Sequence, residues 1–329
     1  MKLHDNTDLQ KYLLKKKISK VIKNIFLACL ISGMCFAILF PIIKLGPTVF
    51  SDLEELGNPD VIWVPIKRSI LSFVAAYRMM MKSGIMTLVW SLAYAVAIMA
   101  VQTFVSAMVG YSLARIKFFG SKIIFFFVIV TFLVPPQTLL LSQYIHFKNF
   151  DFLGIINLLT GDTIDMINKP ITLFMLGIFG FGVNQSLFIF MFRQFFKNIP
   201  KELEEASLID GCSFHQTYFR IMIPNAKPII STVAVLGFVW NYGDTYFTGY
   251  FHPNGPYLSY VLETVFQSAN KNFILNALRT WYQLPLVTDF SYDAVKQAAA
   301  LIYLVPLLIV YFIAQRWLVE NLENSGIVG

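Results

Sequence analysis

Six long apolar runs, separated by intervals where charge and proline collect, set the pattern of this chain. They cover about residues 25–49, 85–113, 123–145, 171–196, 229–246 and 295–317. A helix needs about 20 apolar residues to cross the hydrocarbon core of a bilayer. The pattern therefore predicts an all-α integral membrane protein with six transmembrane helices. Residues 1–23 are polar and basic and stand apart from a transmembrane domain over residues 24–329. The first run is too long for a cleavable leader, and no small-residue cleavage site closes it, so it is expected to be a retained span. Pro135-Pro136 falls inside the third run. Backbone hydrogen bonds forfeited there must be met by neighbours or by a wet cavity. Gly177, Gly180 and Gly182 in the fourth run permit close helix packing.

The polar interval over residues 199–228 has unusually consistent local signals. Pro200 suits the first turn of a helix, and Glu202, Glu204 and Glu205 follow where the helix dipole favours acid. Gly211 reads as a left-handed stop. Ser213 with Gln216 three residues on forms a capping box for a second short helix. Phe214, Tyr218, Ile221 and Met222 fall on one face of it, and Pro224 and Pro228 are expected to end it. The product is a helix–Gly–helix projection, too polar to span a bilayer, that presents an apolar face.

Glu205-Ala206-Ser207, then Gly211, Ile221, Ile223 and Pro224 at matching spacing, resembles the E-A-A-x3-G-x9-I-x-L-P loop of ABC importer permeases. Ser207 replaces the second Ala and Ile223 the Leu. Three further stretches extend the resemblance to the carbohydrate-uptake subfamily, which includes the six-span membrane subunit of the maltose importer. They are Gly110-Tyr111-Ser112-Leu113-Ala114-Arg115 with Phe118-Phe119-Gly120, the pair Trp240-Asn241, and the tail Gln315-Arg316-Trp317-Leu318-Val319-Glu320 with Ser325-Gly326-Ile327-Val328-Gly329. In that tail Asn321 stands for the usual Gly and Val328 for the usual Lys.

The resemblance implies the type I ABC importer permease fold with a cytoplasmic coupling helix pair. It also implies partners: a second, unlike permease, two cytoplasmic ATPase subunits, an extracellular solute-binding protein and a sugar or oligosaccharide substrate. ATP and Mg would be bound by the ATPases, so no cofactor is expected in this chain and no enzymatic activity of its own. Coupling to the ATPase is assigned to Glu205, Ala206, Ser207, Gly211, Ile221 and Pro224. Glu205 is expected to meet a basic group on the ATPase, or Arg220. An importer of another solute, such as a peptide or polyol, is the alternative.

Composition fits the membrane reading. Hydrophobic residues make up 57% of the chain and charged residues only 14%, against roughly a quarter charged in soluble domains. The net charge of +7 comes from basic residues in loops beside the apolar runs, so nucleic acid is not implied. Placing both termini in the cytoplasm puts Lys15-Lys16-Lys17, Arg115, Lys117, Lys122, Arg193, Lys197, Lys201, Arg220, Lys227 and Arg316 on the inner face of a bacterial cell membrane.

Cys29, Cys35 and Cys212 form no disulfide or metal pattern, and the four histidines are scattered, so neither a catalytic nor a metal site is expected. Polar residues within spans usually face a bundle interior or a water-filled path. Gln102, Gln137, Asn184, Gln185, Asn241 and Asp244, with the aromatics Trp240, Tyr242 and Tyr246, are candidates for a sugar path. A helix–helix hydrogen bond or an interfacial aromatic belt would explain each of them equally well. The external interval over residues 247–293 has helical spacing from Tyr257 to Phe273. It is expected either to meet the solute-binding protein or to pack on the chain's own spans.

Overall fold

The computed structural model describes residues 4–56, 64–81 and 84–326. Ile327-Val328-Gly329 of the tail motif lie outside them. The chain falls into two compact units, residues 1–75 with 272–298, and residues 76–271 with 299–329. Among the described residues strand-type pairing is confined to two isolated bridges, Ser51 with Arg68 and Phe150 with Ile164.

In the first unit, α1 (His4–Phe50) is a single helix of 47 residues that continues through Pro41 and Pro47. Residues 12–44 are exposed along its whole length, which suits an apolar helix surrounded by lipid or by another subunit rather than by its own chain. The chain then folds back. The Lys67 amide donates to Glu55 at 2.8 Å, and the Lys67 ammonium lies 3.6 Å from the same carboxylate. α2 (Leu71–Met80) begins at the end of this unit. Later in the chain the Ser291 hydroxyl donates to the Leu53 carbonyl at 3.1 Å.

The second unit is built around α3 (Met86–Arg115), an uninterrupted apolar helix of 30 residues. α4 (Ser121–Leu133) and α5 (Pro136–Lys148) follow, bent by 107° where Pro135-Pro136 breaks the third apolar run. α4 buries no residue fully: Ile123, Ile124, Phe126, Phe127 and Phe132 are exposed, while Phe125 stacks on Phe190 of the later helix over residues 185–198. After α6 (Ile155–Thr160), the fourth run is not one helix. It divides into α7 (Pro170–Ile178) and α8 (Gln185–Asn198) because Gly180 and Asn184 both take positive φ, +84° and +51°.

α9 (Lys201–Ile209) and α10 (Phe214–Thr217) come next, then a π-turn over Tyr218–Met222 and α11 (Ile223–Asn225). α12 (Lys227–Tyr242) is bent by 76° from the segment Phe214–Asn225. Pro224 thus lies within the short helix rather than ending it, and Pro228 opens the next, a position where a missing N–H costs nothing.

α13 (Tyr246–Phe251), α14 (Leu258–Val265), α15 (Lys271–Tyr282) and α16 (Asp289–Gly326) complete the chain. The helical spacing from Tyr257 to Phe273 is realised as two helices. Gln267 is extended, with ψ 149°, and splits them. By length and composition α1, α3 and α16 can each cross a membrane alone, and the number rises to five if each of the two bent pairs counts as one span.

α3 runs between two cores. Near its end, Ala107 and Tyr111 pack with Phe188, Phe192 and Phe196 of α8 and with Tyr218 and Met222. This crossing is tight: a Cβ on Gly110 would sit 2.6 Å from that of Phe192. Near its start, Tyr94 packs beside Phe147, Phe150, Phe247, Phe251 and Tyr257.

Candidate functional site

The interval over residues 199–228 folds from its own caps. Gly211 takes φ +85°. Its amide donates to the Leu208 carbonyl and that of Cys212 to the Ser207 carbonyl, at 3.1 and 3.0 Å, which closes α9 as a Schellman turn. Ser213 and Gln216 exchange both bonds of the capping box. The two helices are then bolted together, because the Ser207 and Thr217 hydroxyls share a buried hydrogen bond of 2.5 Å. Ser207 stands where the resembled loop has Ala, and Thr217 is the partner that makes use of its hydroxyl.

The apolar face expected to point outward is partly spent inside. Tyr218 and Met222 are buried in the core around Phe192 and Phe196. The Tyr218 hydroxyl has no partner among the described residues, and burial pushes its phenol up to about 12, so it stays protonated at neutral pH. What the projection exposes is Leu203, Leu208, Phe214, Phe219 and above all Ile209, at 86%. Ala206 and Pro224 are also exposed, while Ile221 is half-buried.

Glu205 is exposed and pairs with no cation among the described residues, Arg220 included. Its neighbour Glu204 makes the contacts instead. The Tyr111 hydroxyl donates to Glu204 at 2.9 Å, and Arg115 Nε lies 3.7 Å from the same carboxylate. The Arg115 guanidinium also donates to the Ile199 carbonyl. Arg193 of α8 donates to the Leu113 carbonyl at 3.3 Å and lies 3.5 Å over the Phe125 ring. The contacts of Tyr111 and Arg115 fasten the end of α3 to the projection, and Arg193 fastens it to α8. Tyr111 and Arg115 stood in a quoted motif, but spacing alone gave no sign that Glu204, not Glu205, would face them.

The path candidates divide into groups. Gln102 and Asn241 exchange side-chain amides at 2.9 and 3.4 Å, and Asn241 also donates to the Gly237 carbonyl at 2.7 Å. Gly182 lies directly against Gln102, where a Cβ would come within 2.1 Å of the amide nitrogen. Gln185 accepts from the Gly182 amide at 3.0 Å and donates to the Gly177 carbonyl at 2.7 Å. Gln102, Gln185 and Asn241 thus form one buried polar knot between α3, the break before α8, and α12.

The others lie elsewhere. Trp240 stacks on Phe188, ring centroids 5.3 Å apart. The Tyr242 hydroxyl donates to the Tyr303 carbonyl at 3.1 Å. Asp244 accepts from the amides of Phe247 and Thr248 at the start of α13. Asn184, at its positive φ, lines a crevice of about 70 Å³ beside Gln143. Gln137 is exposed. Among the described residues no three His, Cys, Asp or Glu side chains gather where they could hold a metal ion.

The family described as "Binding-protein-dependent transport system inner membrane component" matches residues 102–324. A probable starch degradation products transport system permease protein of Thermoanaerobacterium thermosulfurigenes is 30% identical over 228 residues, 68% of each chain. An arabinooligosaccharides transport system permease protein of Halalkalibacterium halodurans is 25% identical over 308 residues, 90% of this chain and 93% of that one. A bacterial ABC transporter structure, involved in import of the acidic polysaccharide alginate, aligns with a TM-score of 0.64. The alignment covers 91% of this chain and 97% of that one at 19% identity, a likeness of fold.

Proposed function

This chain belongs to the family of binding-protein-dependent transport system inner membrane components, and from that premise we propose that it is the permease subunit of an ATP-driven carbohydrate importer. It is a multi-pass membrane protein with the type I importer permease fold. In this reading it lines one half of a translocation path, and a second, unlike permease lines the other. Two cytoplasmic ATPases hold ATP and Mg, an extracellular binding protein delivers solute, and both termini lie in the cytoplasm. The projection over residues 199–228 seats on an ATPase as a helix pair in a groove. Its exposed Leu208, Ile209 and Phe219 supply the apolar contact and Glu205 the charge.

The carbohydrate reading over a peptide or polyol is carried by the relatives. Relatives that match over two thirds of the chain or more include permeases for starch degradation products, arabinooligosaccharides, diacetylchitobiose, maltose or maltodextrin, and polygalacturonan or rhamnogalacturonan. The test is reconstitution with the co-encoded permease, ATPase and binding protein, followed by uptake measured with labelled neutral oligosaccharides, tripeptides and polyols. ATP-dependent uptake of an oligosaccharide is expected. Uptake of peptide or polyol alone would overturn the carbohydrate assignment and leave the family untouched.

A further inference from the structure

Beyond the end of α12, α13 and α14 frame a cleft of about 320 Å³. Thr245, Tyr246 and Tyr250 form one wall, and Tyr260, Glu263 and Gln267 form the other. Tyr246 and Tyr250 stand one helical turn apart with ring planes within 15° and centroids 6.2 Å apart. They are 45% and 50% exposed. Tyr260 lies on Gly249, where a Cβ would come within 2.7 Å of its ring, so the glycine makes room for the third aromatic.

The polar atoms here are free. The hydroxyls of Tyr246, Tyr250 and Tyr260, the Glu263 carboxylate and the Gln267 amide have no hydrogen-bond partner among the described residues. Nearby tyrosines behave differently: Tyr242 is bonded to the Tyr303 carbonyl, and Tyr257 to His252 at 2.6 Å. An interfacial belt would account for exposed tyrosines, but a carboxylate and an amide set between them suit a ligand that is itself polar. Sugar rings present both kinds of surface, an apolar C–H face for an aromatic ring and a rim of hydroxyls for acceptors and donors.

We propose that this cleft binds one ring of a neutral oligosaccharide, stacked on Tyr246 and Tyr250 and hydrogen bonded by Glu263 and Gln267. Glu263 sets the substrate class. Its carboxylate accepts from sugar hydroxyls and repels the carboxylate of a uronate. The proposal rests on the carbohydrate reading above and narrows it to uncharged sugars.

Saturation-transfer NMR on the detergent-purified complex of both permeases and the ATPases, without the binding protein, tests it with maltotriose, arabinotriose and trigalacturonate as probes. A neutral trisaccharide should receive saturation and trigalacturonate should not. Replacing Tyr246 and Tyr250 together by Leu keeps the apolar bulk yet removes the rings. It should weaken neutral binding by roughly two- to tenfold per ring. Glu263→Gln should admit trigalacturonate. All variants are compared at equal assembly of the complex, and Tyr260→Phe replaces the double change if that one does not assemble.

Equal neutral binding in wild type and variant, or a preference of the wild type for the uronate, would overturn the site. So would absence of any trisaccharide signal. The uptake assay tells the two failures apart: import of sugar without binding here discards the cleft alone, whereas no sugar import at all discards the carbohydrate reading with it.

Discussion

Gly211 and the pair Glu204–Glu205 are the residues on which coupling is most directly testable. Open space surrounds the position where a Cβ would be added to Gly211, so a larger residue meets no clash. What it meets is φ +85°, a left-handed conformation that costs a non-glycine residue about 1–2 kcal/mol. Gly211→Val is expected to leave the complex assembled and to lower uptake far more than basal ATP hydrolysis. Gly211→Asn should be milder, since Asn tolerates this region. Both rates are measured side by side in proteoliposomes, and full uptake in the Val variant would remove the projection as the coupling element.

The two glutamates should separate. Glu205→Ala removes an exposed charge and is expected to change thermal stability by about 0–1 kcal/mol at most, with any larger effect confined to ATPase affinity. Glu204→Ala strips Arg115 of its carboxylate, and the Arg115 side chain is only 5% exposed. Leaving such a group short of a partner costs about 1–3 kcal/mol, read as a lower melting temperature of the complex.

At the scale of elements, the sequence was legible where local chemistry decides and illegible where distant contacts do. The cap at Ser213 and the stop at Gly211 follow from what those residues can and cannot do with their own backbone. The run over residues 123–145 reads as one span, and the structure instead bends it by 107° at Pro135-Pro136. The break in the fourth run was hidden. Gly180 and Gly182 could equally have served close packing, and nothing local announces that Asn184 will adopt φ +51°. The face of Tyr218 and Met222 was read correctly as apolar, but only the neighbouring Phe192 and Phe196 decide that it turns inward. The knot of Gln102, Gln185 and Asn241 joins residues more than 50 positions apart and has no signature in spacing.

The turn between α13 and α14 carries a pH dependence. His252 Nδ1 and the Tyr257 hydroxyl share a bond of 2.6 Å, and Gly255 lies so close that a Cβ there would come within 2.2 Å of the Tyr257 ring. Burial holds the His252 imidazole below its ordinary value of 6.5. Between the folded value and 6.5 the unfolded turn binds more protons than the folded one, so its stability rises with pH across that window. It is fully present above 6.5 and is lost as the pH falls through the window. The protection factors of the 252–257 amides, that is, exchange relative to its intrinsic rate at each pH, should therefore fall on acidification, and His252→Gln should flatten that response.

At the scale of the whole molecule, long apolar helix faces stand uncovered among the described residues. Residues 12–44 of α1 are exposed without interruption, and α4 buries no residue. Without a hydrophobic drive between helices in lipid, such surfaces are stabilised by helix partners and by close van der Waals packing. Expressed alone in detergent, the chain is expected to elute as a broad aggregate. Co-expressed with its partner permease and ATPase it should elute as one complex, and size-exclusion chromatography distinguishes the two. A monodisperse single chain that carries solute across proteoliposomes would contradict this.

Arg115 gives the projection a mechanical shape that its two helices alone would not have. Beyond Asn225 the chain turns by 76° into α12, which provides one route from the projection into the spans. Through Glu204 and the Ile199 carbonyl, Arg115 opens a second into α3. The two routes meet again at Gln102 and Asn241. The projection is therefore the handle of a fork whose two tines are cross-braced partway along. In the coupling role proposed for it, a thrust on the handle would load both tines together, and α3 and α12 are then expected to tilt as a pair rather than slide past one another.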